Sequence, residues 1–115
     1  MTPILIITHL PDKESAHLLS QQLVQMRLAA CVSILAECTS VYRWEDNIET
    51  ANEIPVLIKT QAQHYSQVER IITTLHPYEL PEVIAVSVDK GLPAYLQWLA
   101  NETSDSKPDI KNKSD

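Results

Sequence analysis

A regular alternation of apolar and polar residues over positions 30–46 constrains this chain more than any other feature. The polar side chains fall mainly on odd positions, as a strand with two different faces requires. Asp46-Asn47 then suits a two-residue turn, because both residues tolerate positive φ. Apolar residues return with the same parity over 48–58, so the pattern predicts one long β-hairpin. The even-numbered apolar members of its first strand are Val32, Ile34, Ala36, Cys38, Tyr42 and Trp44.

The length of this hairpin predicts an oligomer. At about 3.3 Å per residue, about sixteen residues reach about 50 Å, which is more than a domain of this size can cover. The tip would expose Tyr42 and Trp44, with Glu45 beside them, and exposed patches of this kind are typical of interfaces. We therefore predict a homo-oligomer in which these three residues pack on a neighbouring copy. The alternative is a strongly bent or bulged hairpin that folds back over its own domain, and Pro55 marks an edge or a bulge.

The rest of the chain reads as three helices and two more strands. Together with the hairpin the order is β-α-β-β-α-β followed by a helix, which predicts an α+β fold. The expected form is a ferredoxin-like βαββαβ sandwich with both main helices on one face of an antiparallel sheet. The elements are a strand at 3–10, a helix from Asp12 to near Arg27, a helix at 65–75, a strand at 83–88 and a C-terminal helix opened by Pro93.

Two local signals add detail to this outline. Thr60-x-x-Gln63 has the form of a capping box, which predicts the start of the second helix. Gly91 is the only glycine, and we expect it to occupy a backbone conformation that other residues resist.

Length and charge predict one acidic domain. The 115 residues suffice for a single domain at 1–102, followed at 103–115 by a polar tail that we expect to be disordered. The net charge of −6 falls on the domain, because the tail holds equal numbers of Lys and Asp. An acidic surface repels phosphate backbones, so nucleic acid is not an expected partner. No apolar run approaches a membrane span or a signal peptide, which predicts a cytoplasmic protein without a membrane partner.

Cys31 and Cys38 are expected to be free thiols. In one regular strand, residues seven apart point to opposite faces and cannot bond to each other. Free thiols fit a reducing compartment.

Residues 76–82 carry the densest set of chemically active side chains. Pro77 and Pro81 fix their own φ and favour extended geometry in the residues before them. The helix ahead must therefore end here and a strand can begin after it, so Pro77, Tyr78 and Pro81 form a structural corner. The same segment offers His76, Glu79 and Glu82 as candidate metal ligands.

Five stretches, taken in order, resemble the CutA family, the divalent-cation-tolerance proteins. The resemblance covers residues 3 to about 100 and leaves the tail out. The stretches are Ala29-Ala30-Cys31-Val32, Ser40-Val41-Tyr42-Arg43-Trp44-Glu45, Leu57-Ile58-Lys59-Thr60, His76-Pro77-Tyr78-Glu79-Leu80-Pro81-Glu82 and Gly91-Leu92-Pro93-Ala94-Tyr95-Leu96-Gln97-Trp98-Leu99.

The resemblance implies a ferredoxin-like domain assembled into a tight homotrimer similar to the PII signalling proteins. It also implies a non-catalytic role in tolerance of divalent cations, with copper or another divalent cation as a ligand that folding does not require. Some bacterial relatives are proposed to bind copper through a cysteine on the first strand and two histidines at the corner. The matching positions here are Thr8, Leu75 and His76. Only the histidine remains, so this chain departs from that ligand set.

Two functions from different classes therefore stay open. The first is a trimeric metal-tolerance protein with His76, Glu79 and Glu82 at a cleft between subunits. The alternative is a PII-like trimeric signalling module that binds a small molecule or a protein, with only adventitious metal binding. No nucleophile-base set, phosphate loop or hydrolase motif predicts an enzyme.

Overall fold

A computed structural model describes residues 2–104. It contains five strands and three helices in the predicted order, except that the first hairpin strand is split in two. The elements are β1 (Pro3–Leu10), α1 (Lys13–Gln25), β2 (Cys31–Ile34), β3 (Cys38–Trp44), β4 (Asn47–Gln61), a short 3-10 turn (Ala62–His64), α2 (Tyr65–Leu75), β5 (Val83–Ser87) and α3 (Pro93–Glu102). No helix within the described residues is long and apolar enough to span a membrane.

The strands form an antiparallel sheet in the order β2-β4-β1-β5, and β3 pairs with the remaining half of β4. β4 is therefore shared between the body of the sheet and a two-stranded ribbon that extends beyond it. The molecule measures 56 × 28 × 24 Å, and its radius of gyration is 15.7 Å. A compact domain of this length would have a radius of gyration of about 13 Å, so the ribbon projects and does not fold back. The predicted mixed α+β fold with an antiparallel sheet and three helices is confirmed.

The core lies between one face of the sheet and helices α1 and α2. Every even-numbered residue of β1 from Ile4 to Leu10 is buried, as are Ile54, Val56 and Ile58 of β4. The helices cover this face with side chains at helical spacing: Ala16, Leu19, Leu23, Val68 and Ile72. Each fully buried Leu or Ile contributes about 1.5 to 3 kcal/mol relative to exposure.

The opposite face of the sheet is only partly covered. The register places Leu5 opposite Val86 and Ile7 opposite Ile84 on this second face. Ile84 and Val86 of the edge strand β5 are 50% and 47% exposed. Apolar residues on both faces are typical of a sheet that is covered on both sides.

A β-bulge in the hairpin changes which face its residues occupy. Leu35 still donates its N–H to the Pro55 carbonyl, in register with β2. From Cys38 onward the register has moved by one residue, since Cys38 lies opposite Glu53. Ala36 and Glu37 therefore stand opposite one residue of β4. This is the two-against-one pairing of a bulge, which was one of the alternatives offered by Pro55.

The bulge corrects the prediction of a single apolar face. Tyr42 and Trp44 lie opposite Glu49 and Asn47, on the second face of the sheet and away from the core. Ile48 lies opposite Arg43, on the face that carries the core residues of β4 nearer the body, and is exposed. The apolar residues keep even numbers on both sides of the bulge. Because the bulge adds one residue, however, the even-numbered residues after it point to the opposite face of the sheet from those before it.

The hairpin turn is also one residue earlier than predicted. Trp44 pairs with Asn47, so the turn residues are Glu45 and Asp46 and not Asp46-Asn47. Their φ angles are 49° and 68°. Positive φ at both central residues is the hallmark of a type I′ turn, whose twist matches that of the flanking strands.

Two local predictions for helix starts and turns are wrong. Thr60 belongs to β4 and donates its hydroxyl to the Leu28 carbonyl, so it makes no capping box with Gln63. Gly91 does not have positive φ. A Cβ there would instead lie 3.0 Å from the side chain of Leu96, so the glycine makes room for α3.

Asp12 caps the start of α1 as predicted, accepting the Ser15 N–H at 2.8 Å, and this bond lowers the pKa of its carboxyl.

Arg27 connects the end of α1 to the end of α3. Arg27 has φ of 60° and donates to the carbonyls of Asn101 and Ser104 at 2.9 and 3.1 Å. A cation at these last carbonyls stabilises a helix C-terminus, so Arg27 serves α3 and not α1.

The folded region continues past the expected boundary at Glu102. Thr103 is fully buried, and its hydroxyl accepts from Gln61 at 2.7 Å and donates to the Leu99 carbonyl at 2.8 Å. The buried His64 ring contacts the Thr103 carbonyl at 2.6 Å. The expected polar tail from 105 onward lies outside the described residues.

Both cysteines are free thiols, as predicted, but for a different reason. The bulge puts Cys31 and Cys38 on the same face, because both lie opposite odd-numbered residues of β4. Separation along the strand, and not orientation, keeps them apart.

Candidate functional site

A cleft of about 790 Å³ lies on the second face, between the ribbon and the proline corner. Tyr42, Arg43 and Trp44 form its ribbon wall, so two of the three residues predicted for an interface line the cleft. The third, Glu45, is exposed in the turn. Glu79, Leu80, Pro81 and Glu82 form the corner wall, and His9, Glu53 and Tyr78 line the space between these walls.

The corner is built as the two prolines predict. α2 ends at Leu75, and His76 is extended with φ −74° and ψ 133°, as the residue before a proline prefers. Tyr78 donates its backbone N–H to Nδ1 of His76 at 3.2 Å. Nε2 of His76 must then carry the proton that it donates to the His9 carbonyl at 2.6 Å. This histidine therefore fixes the corner to the end of β1.

The three predicted metal residues occupy different places. Glu79 and Glu82 line the cleft, whereas His76 is buried behind it and is not part of the lining. Both ring nitrogens of His76 are already hydrogen-bonded. A metal ion bound to His76 would have to replace one of these two bonds.

His9 joins two carboxylates at the base of the cleft. Its Nδ1 lies 3.2 Å from Oε1 of Glu82 and 3.6 Å from Oε1 of Glu53. Glu53 is only 7% exposed, and a glutamate is rarely buried to this extent unless its carboxylate is paired. The register explains this meeting, since His9 lies opposite Pro55 and points to the same face as Glu53.

Tyr78 supports Glu53 from the corner. Burial, followed by the hydrogen bond and charge of Glu53, raises the pKa of the Tyr78 phenol to about 12. The phenol is therefore protonated at neutral pH and acts as a hydrogen-bond donor to the carboxylate. Its ring also packs on that of His76, with centroids 4.6 Å apart.

His9 and Glu53 are the site residues that sequence reasoning missed. His9 follows Thr8 near the end of β1, and Glu53 follows Asn52 two residues before Pro55 of β4. Neither position carries a local signal that the two residues meet. Their proximity depends on strand register and on the bulge.

The donor set suits a divalent cation of hard or borderline character. Carboxylate oxygen is the usual ligand of hard cations, and imidazole nitrogen suits zinc, copper and nickel. Within residues 2–104, however, no three His, Cys, Asp or Glu side chains surround one ion position as they stand. Holding an ion would require at least one side chain to move.

Thr8, at the position of the relatives' first-strand cysteine, is not a comparable ligand. Its hydroxyl is fully buried in the core and has no hydrogen-bond partner among the described residues. A hydroxyl also lacks the soft thiolate sulfur that selects copper.

These features define a class: a small α+β protein with an antiparallel sheet, a projecting ribbon and an acid-lined cleft beside it. Within that class the chain belongs to the CutA1 divalent ion tolerance protein family, whose model matches residues 4–102. The chain is 36% identical to the divalent-cation tolerance protein CutA of Thermus thermophilus, covering 90% of this chain and 99% of that one. It is 38% identical to mouse protein CutA, over 81% of this chain and 52% of the mouse protein.

Solved structures show the same fold. The crystal structure of CutA from Xylella fastidiosa superposes with a TM-score of 0.86 at 49% identity, covering 89% of this chain and 98% of that one. CutA1 from Oryza sativa superposes with a TM-score of 0.88 at 34% identity, over 92% and 97% of the two chains. The family is named for tolerance of divalent ions.

Proposed function

We propose that this protein is a non-catalytic, cytoplasmic homotrimer that binds divalent cations, copper among them, in cation tolerance. The observation that carries the proposal is the charge of the cleft. Three acidic residues, Glu53, Glu79 and Glu82, line it, whereas Arg43 is the one lysine or arginine among the lining residues and its side chain belongs to the other face of the ribbon. Such a lining favours cations over anions, and family membership supports divalent ions as the relevant class.

The three predicted ligands enter the proposal with different roles. Glu79 and Glu82 face the cleft and supply oxygen donors. His76 holds the corner through its two ring bonds and joins the ion only if one of them breaks. In this proposal the cation is a ligand that folding does not require.

The proposed trimer has support from the shape of the molecule. The strand order matches a ferredoxin-like sheet, with β3 and β4 extended into the ribbon. The partly uncovered second face carries Ile84 and Val86, and the ribbon exposes Tyr42. Three copies arranged as in the PII proteins would bury these apolar surfaces. The proposed interface residues are Tyr42, Trp44 and Glu45.

Native mass spectrometry of the pure protein tests both parts of the proposal. The protein is measured free of metal and then with stoichiometric copper and zinc ions, so that one spectrum gives oligomer mass and metal count. We expect a trimer that takes up a fixed and saturable number of ions. A trimer without discrete uptake would contradict the cation proposal and leave the assembly standing, whereas a monomer would contradict the assembly.

One observation favours the PII-like alternative. The cleft volume falls in the range of about 300 to 1,000 Å³ that small-molecule sites occupy. Tyr42, Trp44 and Tyr78 give it the aromatic walls that such sites commonly have. The alternative predicts that one metabolite raises the melting temperature by mass action while metal ions do not. A thermal-shift screen of metabolites against copper and zinc separates the two functions.

A further inference from the structure

We infer that His9, Glu53 and Glu82 are the protein ligands of one borderline divalent cation such as Zn²⁺ or Cu²⁺. This inference rests on the proposed function and assigns the ion to particular atoms. It places the ion at Nδ1 of His9, a residue outside the predicted set.

The spacing of the three side chains carries the assignment. Nδ1 of His9 lies 3.2 and 3.6 Å from the two glutamate oxygens. Both distances exceed the roughly 2.7 to 2.9 Å of a charge-assisted hydrogen bond. Donors that share one zinc ion lie about 2.0 to 2.2 Å from it, so donors at tetrahedral angles are about 3.4 Å apart. Each carboxylate oxygen therefore lies at about the distance from Nδ1 of His9 that two neighbouring donors of one ion have.

Two of the three ligands are already held in place. The main chain of His9 is fixed by the bond from Nε2 of His76 to its carbonyl. Glu53 is buried and lies against the phenol of Tyr78, which can orient the carboxylate. Such outer-shell partners typically set the orientation and basicity of metal ligands.

Glu82 is the ligand that must move. Its side chain is 42% exposed, and it follows Pro81 at the rim of the cleft. A change of side-chain rotamer can bring its oxygen around an ion bound to Nδ1 of His9. Binding requires this movement, because the described residues hold no closed three-ligand cluster as they stand. Water, or Glu79 from the same wall, would complete the shell.

The test is titration of the whole, metal-free protein with Zn²⁺ by calorimetry and with Cu²⁺ by electron paramagnetic resonance. His9→Gln and Glu82→Gln each remove one ligand and keep a polar side chain of similar size. We expect each to weaken Zn²⁺ binding more than about 100-fold, because loss of mere outer-shell partners costs about 10- to 100-fold. The nitrogen splitting in the Cu²⁺ spectrum should disappear in His9→Gln. His17→Gln, on the exposed side of α1, is the matched control and should bind normally.

The outcomes distinguish this inference from the proposed function. If the wild-type protein takes up neither ion, cation binding and the inference fail together, and the cluster is only a histidine between two carboxylates. If the wild-type protein binds but both His9→Gln and Glu82→Gln bind equally well, cation binding stands and this ligand assignment is overturned. Glu82 is exposed at the rim, so its variant is expected to fold even if a change at His9 disturbs β1.

Discussion

At the scale of single residues, the Tyr78 side chain joins the corner to the cleft, and its ionisation makes stability depend on pH. Its pKa is raised from 10.0 to about 12, chiefly by burial and then by Glu53. The neutral phenol is thus favoured in the folded protein, and unfolding releases a proton at alkaline pH. The resulting contribution to the free energy of unfolding is complete below about pH 10 and is lost as pH rises to about 12.

We therefore expect Tyr78→Phe to flatten the loss of stability between about pH 10 and about pH 12. Tyrosinate absorbance should lose its highest-titrating phenol in the same variant. Glu53→Gln should lower the pKa of the Tyr78 phenol, because the substitution removes the neighbouring charge. Denaturant unfolding across the alkaline range measures the effect. An unchanged alkaline slope in Tyr78→Phe would mean that the phenol has no stabilising role.

The buried Thr103 hydroxyl makes hydrogen bonds with both the Gln61 amide and the Leu99 carbonyl. Thr103→Val keeps the shape but removes the 2.7 Å acceptor of the buried Gln61 amide and leaves it only the 3.5 Å contact with the Ala100 carbonyl. A buried polar group that loses its partner costs about 1 to 3 kcal/mol, and we expect a loss in this range in chemical denaturation. Thr74→Val is the control, because its hydroxyl bonds only the Arg70 carbonyl on an exposed helix face. Equal losses in the two variants would contradict the importance of the contact with Gln61.

At the scale of elements, the ribbon turn holds two residues in a left-handed conformation. Asp46, at φ 68°, is a non-glycine residue in the region where L-residues are strained by about 1 to 2 kcal/mol. Asp46→Gly should relieve part of that strain and raise the melting temperature, whereas Asp46→Ala should lower it. Differential scanning calorimetry of the two variants provides the comparison. A glycine variant less stable than the alanine variant would show that the aspartate side chain, and not backbone strain, matters at this turn.

Local chemistry made the helices and the corner predictable. The Asp12 cap and the extended residue before Pro77 both depend on neighbours within a few positions. The bulge was not predictable to the same degree, because two-against-one pairing at Ala36 and Glu37 depends on the partner strand. The same limit applied to the site. His9 and Glu53 are far apart in sequence, and only the register of β1 and β4 brings them together.

At the scale of the whole molecule, the ribbon is the part that a single copy covers least. Trp44 is half-buried at its tip, and Tyr42 beside it is 45% exposed. Trp44→Ala should weaken the proposed assembly more than it destabilises an isolated chain, because interface aromatics commonly anchor association. Analytical ultracentrifugation over a dilution series is the measurement. An oligomer that remains intact at nanomolar concentration in this variant would remove Trp44 from the interface.

The continuity of β4 gives the ribbon a mechanical meaning. The same strand carries Ile58 in the core, Glu53 at the cleft and Asn47 at the tip, so one end of β4 is fixed in the core and the other end projects. In the proposed assembly, a load applied at the tip by a neighbouring copy would be transmitted along β4 past Glu53, which lies beside the bulge. If the proposed assembly and the proposed cation site are coupled through this strand, each changes the affinity of the other by the same factor. The cation would then strengthen or weaken assembly, and assembly would change the affinity for the cation to the same extent.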